Sequence, residues 1–447
     1  MTTNTLNRTE PGQRTENVLS AQERELAQVA ARYLPGGTFG NLPEQIIIAK
    51  GQGSRVWDES GNEYIDYLIG SGPMLIGHGH PDVNAAVNAQ LPNGTTFFAN
   101  NRHGIRLAEA IVDAVPCADK VRFVSSGTEA DFYAMRLARA FRKRDKILKF
   151  EGGYHGMSDY GLMSLAPTRE ASFPEPIPDS PGIPKSVREE VVVAPFNDTD
   201  LVVRYIREHA DELAGVIVEP LQRLVPPRPG FLEALREVTA ETGVLLIFDE
   251  VVTGFRFSYG GAQQYYGVTP DVCTLGKACG GGFPLAAIAG RADIMDLFDR
   301  SAADADRFLV QIGTLSGNPI AAAAGLATLN VLKQPGVYDR LFATGRKLRE
   351  TLGEMLNRAE LPAQILGAEP LFDVIFHRRE IRNYRDTISG DAWLTRRFNV
   401  LLRERGIFKG DTKYYVCTAH GDREIAQTTD AWASAIDVLC HEMKHRA

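Results

Sequence analysis

The sequence predicts an α/β protein with a large domain, built on a mostly parallel central sheet, and a smaller α+β domain. Short apolar runs alternate with helical stretches from about residue 82 to 332. These runs are mainly apolar and do not alternate regularly, which marks strands buried on both faces by flanking helices. The 447 residues are 44% apolar and 23% charged, an ordinary globular composition that allows a core large enough to enclose a cofactor.

Taken in order, residues 1–20 read as a loose polar tail. The pattern from Leu19 to Tyr33 predicts a helix, stopped by Pro35-Gly36-Gly37. Residues 46–69 read as a meander of short strands with turns at Gly51, Gly53 and Gly61. The seven apolar runs are Val121–Val124, Ile147–Phe150, Val191–Ala194, Val216–Val218, Val244–Phe248, Val272–Leu275 and Leu285–Ala289. After Ser126, the residues Ala130, Ala134, Leu137 and Phe141 fall at helical spacing. Six prolines between Pro167 and Lys185 predict an irregular loop. The expected domains are therefore 1–81, contributing to the small domain, 82–332, the large domain, and 333–447, the C-terminal part of the small domain.

Charge and cysteine usage exclude several classes. There are 49 Lys and Arg against 56 Asp and Glu, a net charge of −7, and the longest basic run is Arg142-Lys143-Arg144. That is a poor footprint for nucleic acid. No stretch approaches the roughly 18 apolar residues of a membrane span. The start is polar, without the apolar core of a signal peptide. The five cysteines, Cys117, Cys273, Cys279, Cys417 and Cys440, are scattered and form no C-x-x-C pair. Neither a metal nor a disulfide is expected, and the expected location is cytoplasmic.

Four segments carry the chemistry. Val121–Ala130 runs from a strand through Ser125-Ser126-Gly127-Thr128 into a helix, where backbone N–H groups and the helix dipole favour an anion. Ser126 is equally an ordinary N-cap. The second segment, VLLIFDEVVTGFR at 244–256, delivers Asp249 and Glu250 at the C-terminal end of a strand, the edge where open α/β sheets bind ligands. A carboxylate there needs a positive partner, which a pyridinium N–H, a metal or an ion pair would supply. In the third, TLGKACGGGFPLAAIAG at 274–290, Lys277 stands at a strand end among glycines. A secluded ammonium of this kind turns nucleophilic toward an aldehyde, whereas a surface lysine only snorkels. The last comprises FEGGYHG at 150–156 and GTLSGNP at 313–319, which offer Tyr154 to stack on a planar ring and Thr314 to donate to a phosphate. A phosphate cradle, an acid for a ring nitrogen, an aromatic lid and a reactive lysine together suit pyridoxal 5′-phosphate. Neither G-x-G-x-x-G after the first strand nor G-x-x-x-x-G-K-[ST] is present.

The ordered set SSGTEA, FEGGYHG, VEP, FDEVVTGFR, LGKACGGGFPLAAIAG and GTLSGNP resembles the class III aminotransferases of fold type I. The nearest branch is the glutamate-1-semialdehyde aminomutase group. The resemblance extends from LPGG at 34–37 through WDESGNEYIDY and GHGHP to AHGDREI near the C-terminus. It implies a pyridoxal-phosphate-dependent transferase fold with a large and a small domain, and a homodimer with its sites at the interface. Matched to this pattern, Lys277 is the Schiff-base lysine and Asp249 the pyridinium partner. Ser126, Gly127 and Thr128 form the phosphate loop. Tyr154 stacks on the ring and Val251 contacts its other face. Thr314 reaches the partner subunit's phosphate, and Glu219 lies on the substrate side. The implied activity transfers an amino group from an amino-acid donor to a keto or aldehyde acceptor. An aminomutase or an amino-acid epimerase on the same scaffold is the alternative.

The chain departs from the aminomutase pattern on the substrate side. Residues 35–43 lack the arginine that holds the substrate carboxylate there. In GIFKGDTKYYVCTAHGD, the glutamate usual in the family is absent, and Lys413, Tyr414 and Tyr415 stand in that stretch. The segment EPLQRLVPPRPGFL is short and carries Arg223 and Arg228. The expected substrate contacts are therefore Glu219, Arg223, Arg228, Lys413 and Tyr414, in a pocket cut for a different amino or keto compound.

Overall fold

The computed structural model describes residues 19–42, 46–167 and 169–446. Residues 1–18 of the expected tail and Pro43 lie outside them. The first helix, Ala21–Tyr33, is capped by Ser20, whose side chain accepts the Glu23 N–H, and it ends at the Pro35–Gly37 turn, where Gly36 has φ 67°. Three strands follow, β1 (Ile48–Gln52), β2 (Arg55–Asp58) and β3 (Glu63–Asp66), paired antiparallel in sequence. Gly53 and Gly61 take positive φ at the turns between them. Gly51, expected at a turn, lies inside β1. A Cβ there would sit 2.7 Å from the His78 ring, so a close approach and not a turn accounts for that glycine.

All seven apolar runs enter one sheet: β4 (Lys120–Val124), β5 (Lys146–Phe150), β6 (Val191–Ala194), β7 (Leu213–Val218), β8 (Leu245–Glu250), β9 (Val272–Leu275) and β10 (Ala286–Gly290). Their spatial order is β4-β10-β9-β8-β7-β5-β6. The pairs from β9 through β8, β7 and β5 to β6 are parallel. β10 alone runs against both its neighbours. The short connection 276–285 explains this, because a brief turn can join antiparallel strands but not parallel ones. Lys277 lies in that connection.

Burial on both faces accounts for the continuous apolarity. Leu148, Val216, Val218, Leu246 and Phe248 enter one core with Val202, Ile206, Leu235 and Val238 of the helices Thr199–Glu208 and Phe231–Thr242. The alternate residues Ile147, Ile217, Leu245 and Ile247 enter a second core with Ala130, Ala134 and Leu137 of the helix Gly127–Arg142. Each such side chain contributes about 1.5–3 kcal/mol on burial, so the edge of this sheet is a rigid platform.

The remaining strands are β11 (Gln364–Ala368), β12 (Leu371–Ile375), β13 (Ile407–Phe408) and β14 (Tyr414–Tyr415). β12 pairs antiparallel with β11 and β14. β13 joins β3 in parallel, so segments from both ends of the chain share one sheet. The Tyr415 N–H also donates to the Tyr67 carbonyl at 2.9 Å, tying the β14 strand to the segment after β3. The long helix Asp422–Arg446 closes the chain.

The helix Pro319–Leu332 pins the turn that bears Lys277. A Cβ on its Gly325 would lie 2.1 Å from the Cys279 carbonyl oxygen, so backbone rests on backbone. Gly325→Ala is expected to destabilise by about 1–3 kcal/mol through overpacking. A lowered urea midpoint with unchanged m-value would show it, and an unchanged midpoint would contradict this close approach.

Candidate active site

The candidate residues gather at one edge of the sheet. Ser126–Thr128 follow β4, Tyr154 follows β5, Glu219 follows β7, Asp249 sits near the end of β8 and Lys277 follows β9. For the parallel strands this is the carboxyl edge, the usual ligand side of an open α/β sheet.

Ser126 is the N-cap of the helix Gly127–Arg142 in a full capping box. Its side chain accepts the Glu129 N–H, and the Glu129 carboxylate takes the N–H groups of Ser125 and Ser126 at 2.7 and 3.0 Å. The next two N–H groups, on Gly127 and Thr128, have no partner within the helix. Thr128 Oγ1 accepts the Met157 N–H at 3.2 Å, docking the Tyr154 loop on the same turn. Val251 fills the floor. A Cβ on Gly127 would lie 3.0 Å from its Cγ1, and one on Gly276 would lie 3.1 Å away. The branched side chain therefore touches both the anion turn and the lysine turn.

Asp249 is 4% exposed. Its Oδ1 accepts the Val251 N–H at 3.1 Å, and its Oδ2 lies 2.8 Å from His155 Nδ1. A carboxylate only accepts, so Nδ1 carries the proton. Glu219 is also buried and accepts the Tyr154 N–H at 3.0 Å, so it braces the aromatic loop. Arg223 lies over the Tyr154 ring, 5.6 Å from its centroid.

Lys277 takes φ 49° in the turn Lys277–Gly280 and is half-buried. Gly72 faces it across the pocket. A Cβ on Gly72 would meet the Tyr415 ring at 2.9 Å and Lys277 Cδ at 3.4 Å. Tyr415 is ringed by cations, with Arg256 5.2 Å and Lys413 5.8 Å from its centroid. Burial raises its phenol, but the charges of Lys413, Lys277 and Arg256 outweigh this and hold it below the ordinary value. Lys413 is 8% exposed, and its Nζ makes no hydrogen bond or ion pair among the described residues. Burial lowers its ammonium below the ordinary lysine range, with Arg223 and Lys277 pushing the same way and Tyr415 and Glu219 opposing.

Two expected substrate contacts fall elsewhere. Tyr414 is fully buried, stacked on Phe372 with centroids 5.1 Å apart, and its hydroxyl accepts the Trp432 Nε1–H at 2.9 Å. Strand alternation in β14 sends Tyr415, not Tyr414, toward Lys277. Arg228 lies on the surface, paired with Glu380 at 2.9 Å. Thr314 is exposed on a loop whose carbonyl at 314 accepts the Thr96 hydroxyl at 3.3 Å.

Sequence reasoning gave no role to Asp131, His155, Arg256 or Thr274. His155 sits inside the quoted FEGGYHG. Asp131 adjoins Ala130 on a helix face marked for burial, and an acid there was the available signal. Arg256 is 1% exposed and donates to the carbonyls of Val416, Pro370 and Gly72, linking three segments of the pocket wall.

These roles predict a clean separation of two adjacent tyrosines. Tyr414→Phe is expected to leave Trp432 Nε1 without its acceptor and to cost about 1–3 kcal/mol of stability, with kinetics unchanged. Tyr415→Phe is expected to alter turnover with little loss of stability. Denaturation curves and steady-state rates on both variants check this, and reversal of the pattern would refute it.

A family model described as aminotransferase class-III matches residues 39–417. The chain is 38% identical over 428 residues to the glutamate-1-semialdehyde 2,1-aminomutase of Methanosphaera stadtmanae, covering 94% of this chain and 99% of that one. Among solved structures it is similar to an omega-transaminase from Sphaerobacter thermophilus, with TM-score 0.88, 37% identity and coverage of 93% and 97%. It is also similar to a transaminase with PLP bound, with TM-score 0.87, 31% identity and coverage of 95% and 99%. The residues fit that cofactor: two N–H groups at a helix start without a partner inside the helix, a buried carboxylate held by two donors, and a lysine at the adjoining strand end. The chain belongs to the class III aminotransferases, fold type I enzymes that depend on pyridoxal phosphate.

Proposed function

We propose that the protein is a transaminase that moves an amino group from a carboxylate-bearing amino donor to a keto or aldehyde acceptor. Pyridoxal phosphate supplies an aldehyde that takes up an amine and a ring that takes up electrons. In this reading Gly127 and Thr128 bind the phosphate through their N–H groups, with Ser126 beside them. Asp249 holds the proton on the ring nitrogen. Val251 and Tyr154 would contact the ring. Lys277 would hold the cofactor through its amine and, once free, that amine would serve as the base for the substrate's Cα proton.

One observation carries the choice of substrate. Lys413 is a buried lysine with no ion-paired acid among the described residues, and the charges of Arg223 and Lys277 act on it. An unpaired charge in such a place is expensive, and a substrate carboxylate would answer it. The departures at residues 35–43 and in the 406–421 stretch support a pocket unlike that of the aminomutase. Dimerisation is part of the proposal. Phe98 and Ile312, 71% and 73% exposed, lie on loops joined by the Thr96–Thr314 contact, an apolar surface suited to a second copy that would bring Thr314 to its partner's phosphate. Among the described residues no helix is long and apolar enough to cross a membrane.

The 38% identical aminomutase keeps an intramolecular transfer as a second reading. Stoichiometry separates the two. Reduced with an amino acid to its pyridoxamine form, a transaminase regains its visible band only when a carbonyl compound is added, and it consumes that compound one-to-one. Turnover without a second carbonyl substrate would overturn the transaminase reading. Lys413→Met is expected to raise KM for a carboxylated donor by roughly 10- to 100-fold, the strength of a hydrogen bond to a charged group. KM for the same amine lacking its carboxylate should stay unchanged. An equal effect on both donors would contradict the assignment of Lys413.

A further inference from the structure

Behind the Asp249 carboxylate lies a second one. Asp131 is the fifth residue of the helix Gly127–Arg142 and is 2% exposed. Its Oδ1 accepts the Thr274 hydroxyl at 2.6 Å, and that hydroxyl lies 3.5 Å from Asp249 Oδ1. One oxygen from each acid and a ring nitrogen of His155 all fall within 4.8 Å of one another. Thr274 has a single proton to give and is fully buried. Two carboxylates this close and this dry do not both ionise without a cation between them.

The donors decide which acid stays charged. Asp249 has the Val251 N–H and His155 Nδ1. Among the described residues Asp131 has only the Thr274 hydroxyl. The other charged groups acting on the pair are Glu219, which disfavours a second negative charge, and Lys149. The Lys149 ammonium is held by the carbonyls of Gly161 and Met163, at 2.8 and 2.6 Å. Burial, then the charge of Asp249, push the Asp131 carboxyl well above the ordinary carboxylate range.

We propose that Asp131 is a positioning residue that stays protonated at neutral pH and donates a hydrogen bond to Asp249, so that the pair carries one negative charge. Asp249 then meets the ring nitrogen with part of its charge already engaged, and its hold on the ring proton is weaker than that of a lone carboxylate. This last clause rests on the cofactor reading above. The shared proton does not.

The test begins with cofactor-free protein. Infrared difference spectra between acidic and neutral pH should show that the wild type keeps a protonated carboxyl band at neutral pH and that Asp131→Asn lacks it. Thr274→Val, which removes the donor that favours an ionised Asp131, should keep the band. Stability gives a second readout. A carboxyl whose pKa is raised in the folded state contributes stability that is fully present below its unfolded pKa of about 3.9. That stability is lost as pH rises through the folded value. From about pH 4 toward neutrality the wild type should therefore lose folding equilibrium relative to Asp131→Asn, by up to about tenfold per pH unit. In protein loaded with ring-labelled cofactor, Asp131→Leu should raise the pH at which the ring nitrogen loses its proton, by roughly one unit. Absence of the band in the wild type, or parallel stability curves, would overturn the proposal. So would stabilisation of the wild type alone by added magnesium or zinc, which would make the cluster a metal site. A protein that binds no pyridoxal phosphate but keeps the band would refute the cofactor reading and leave the shared proton standing.

Discussion

A carboxylate buried at the end of a central parallel strand sets the terms for the rest of this molecule. Asp249 cannot leave, because β8 is flanked by strands on both sides and cored on both faces. Left alone, its charge would cost several kcal/mol. The surrounding structure answers with an imidazole and a backbone N–H. The other elements of the site are placed relative to that charge. The anion turn of Ser126–Thr128 arrives from β4, and the lysine turn arrives from the connection between β9 and β10. Val251, two residues beyond Asp249, touches both.

Much of this was legible in the sequence, for identifiable reasons. Mainly apolar runs gave all seven strands of the large sheet, because burial on both faces of the inner strands leaves little polar alternation. Gly276-Lys277 and Asp249 stood out because charged residues at the ends of apolar strands have few structural uses. What stayed hidden depended on direction and depth. Composition does not tell which of Tyr414 and Tyr415 faces inward, since a two-residue strand has no periodicity to read. Arg223 and Arg228 look alike in a proline-rich segment, and only the path of the chain puts one over Tyr154 and the other against Glu380. Gly51 read as a turn, although its small size serves the approach of the His78 ring. Asp131 was masked by the apolar helix face on which it lies.

The two sides of the pocket differ in how far they follow the family. The cofactor side carries its motifs in unbroken order, and all but the Thr314 loop gather at one edge of the large sheet. The substrate side is where the chain has changed, through Lys413, Arg223 and the cation-ringed Tyr415. Charge balance describes the change: the charges of Arg223 and Lys277 act against that of Lys413, with Glu219 opposing them, and the proposed carboxylate ligand would answer this excess of positive charge. In the proposed reading, specificity follows from this charge imbalance and not from a shape alone.

Borohydride reduction of the cofactor-loaded protein, followed by peptide mass mapping, tests the central claim most directly. Lys277 and Asp249 are held to address one cofactor ring, so a single stoichiometric pyridoxyl-phosphate adduct should appear on the peptide containing Lys277, and Asp249→Leu should weaken cofactor retention before reduction. An adduct on another lysine, or no adduct on protein saturated with pyridoxal phosphate, would contradict the account.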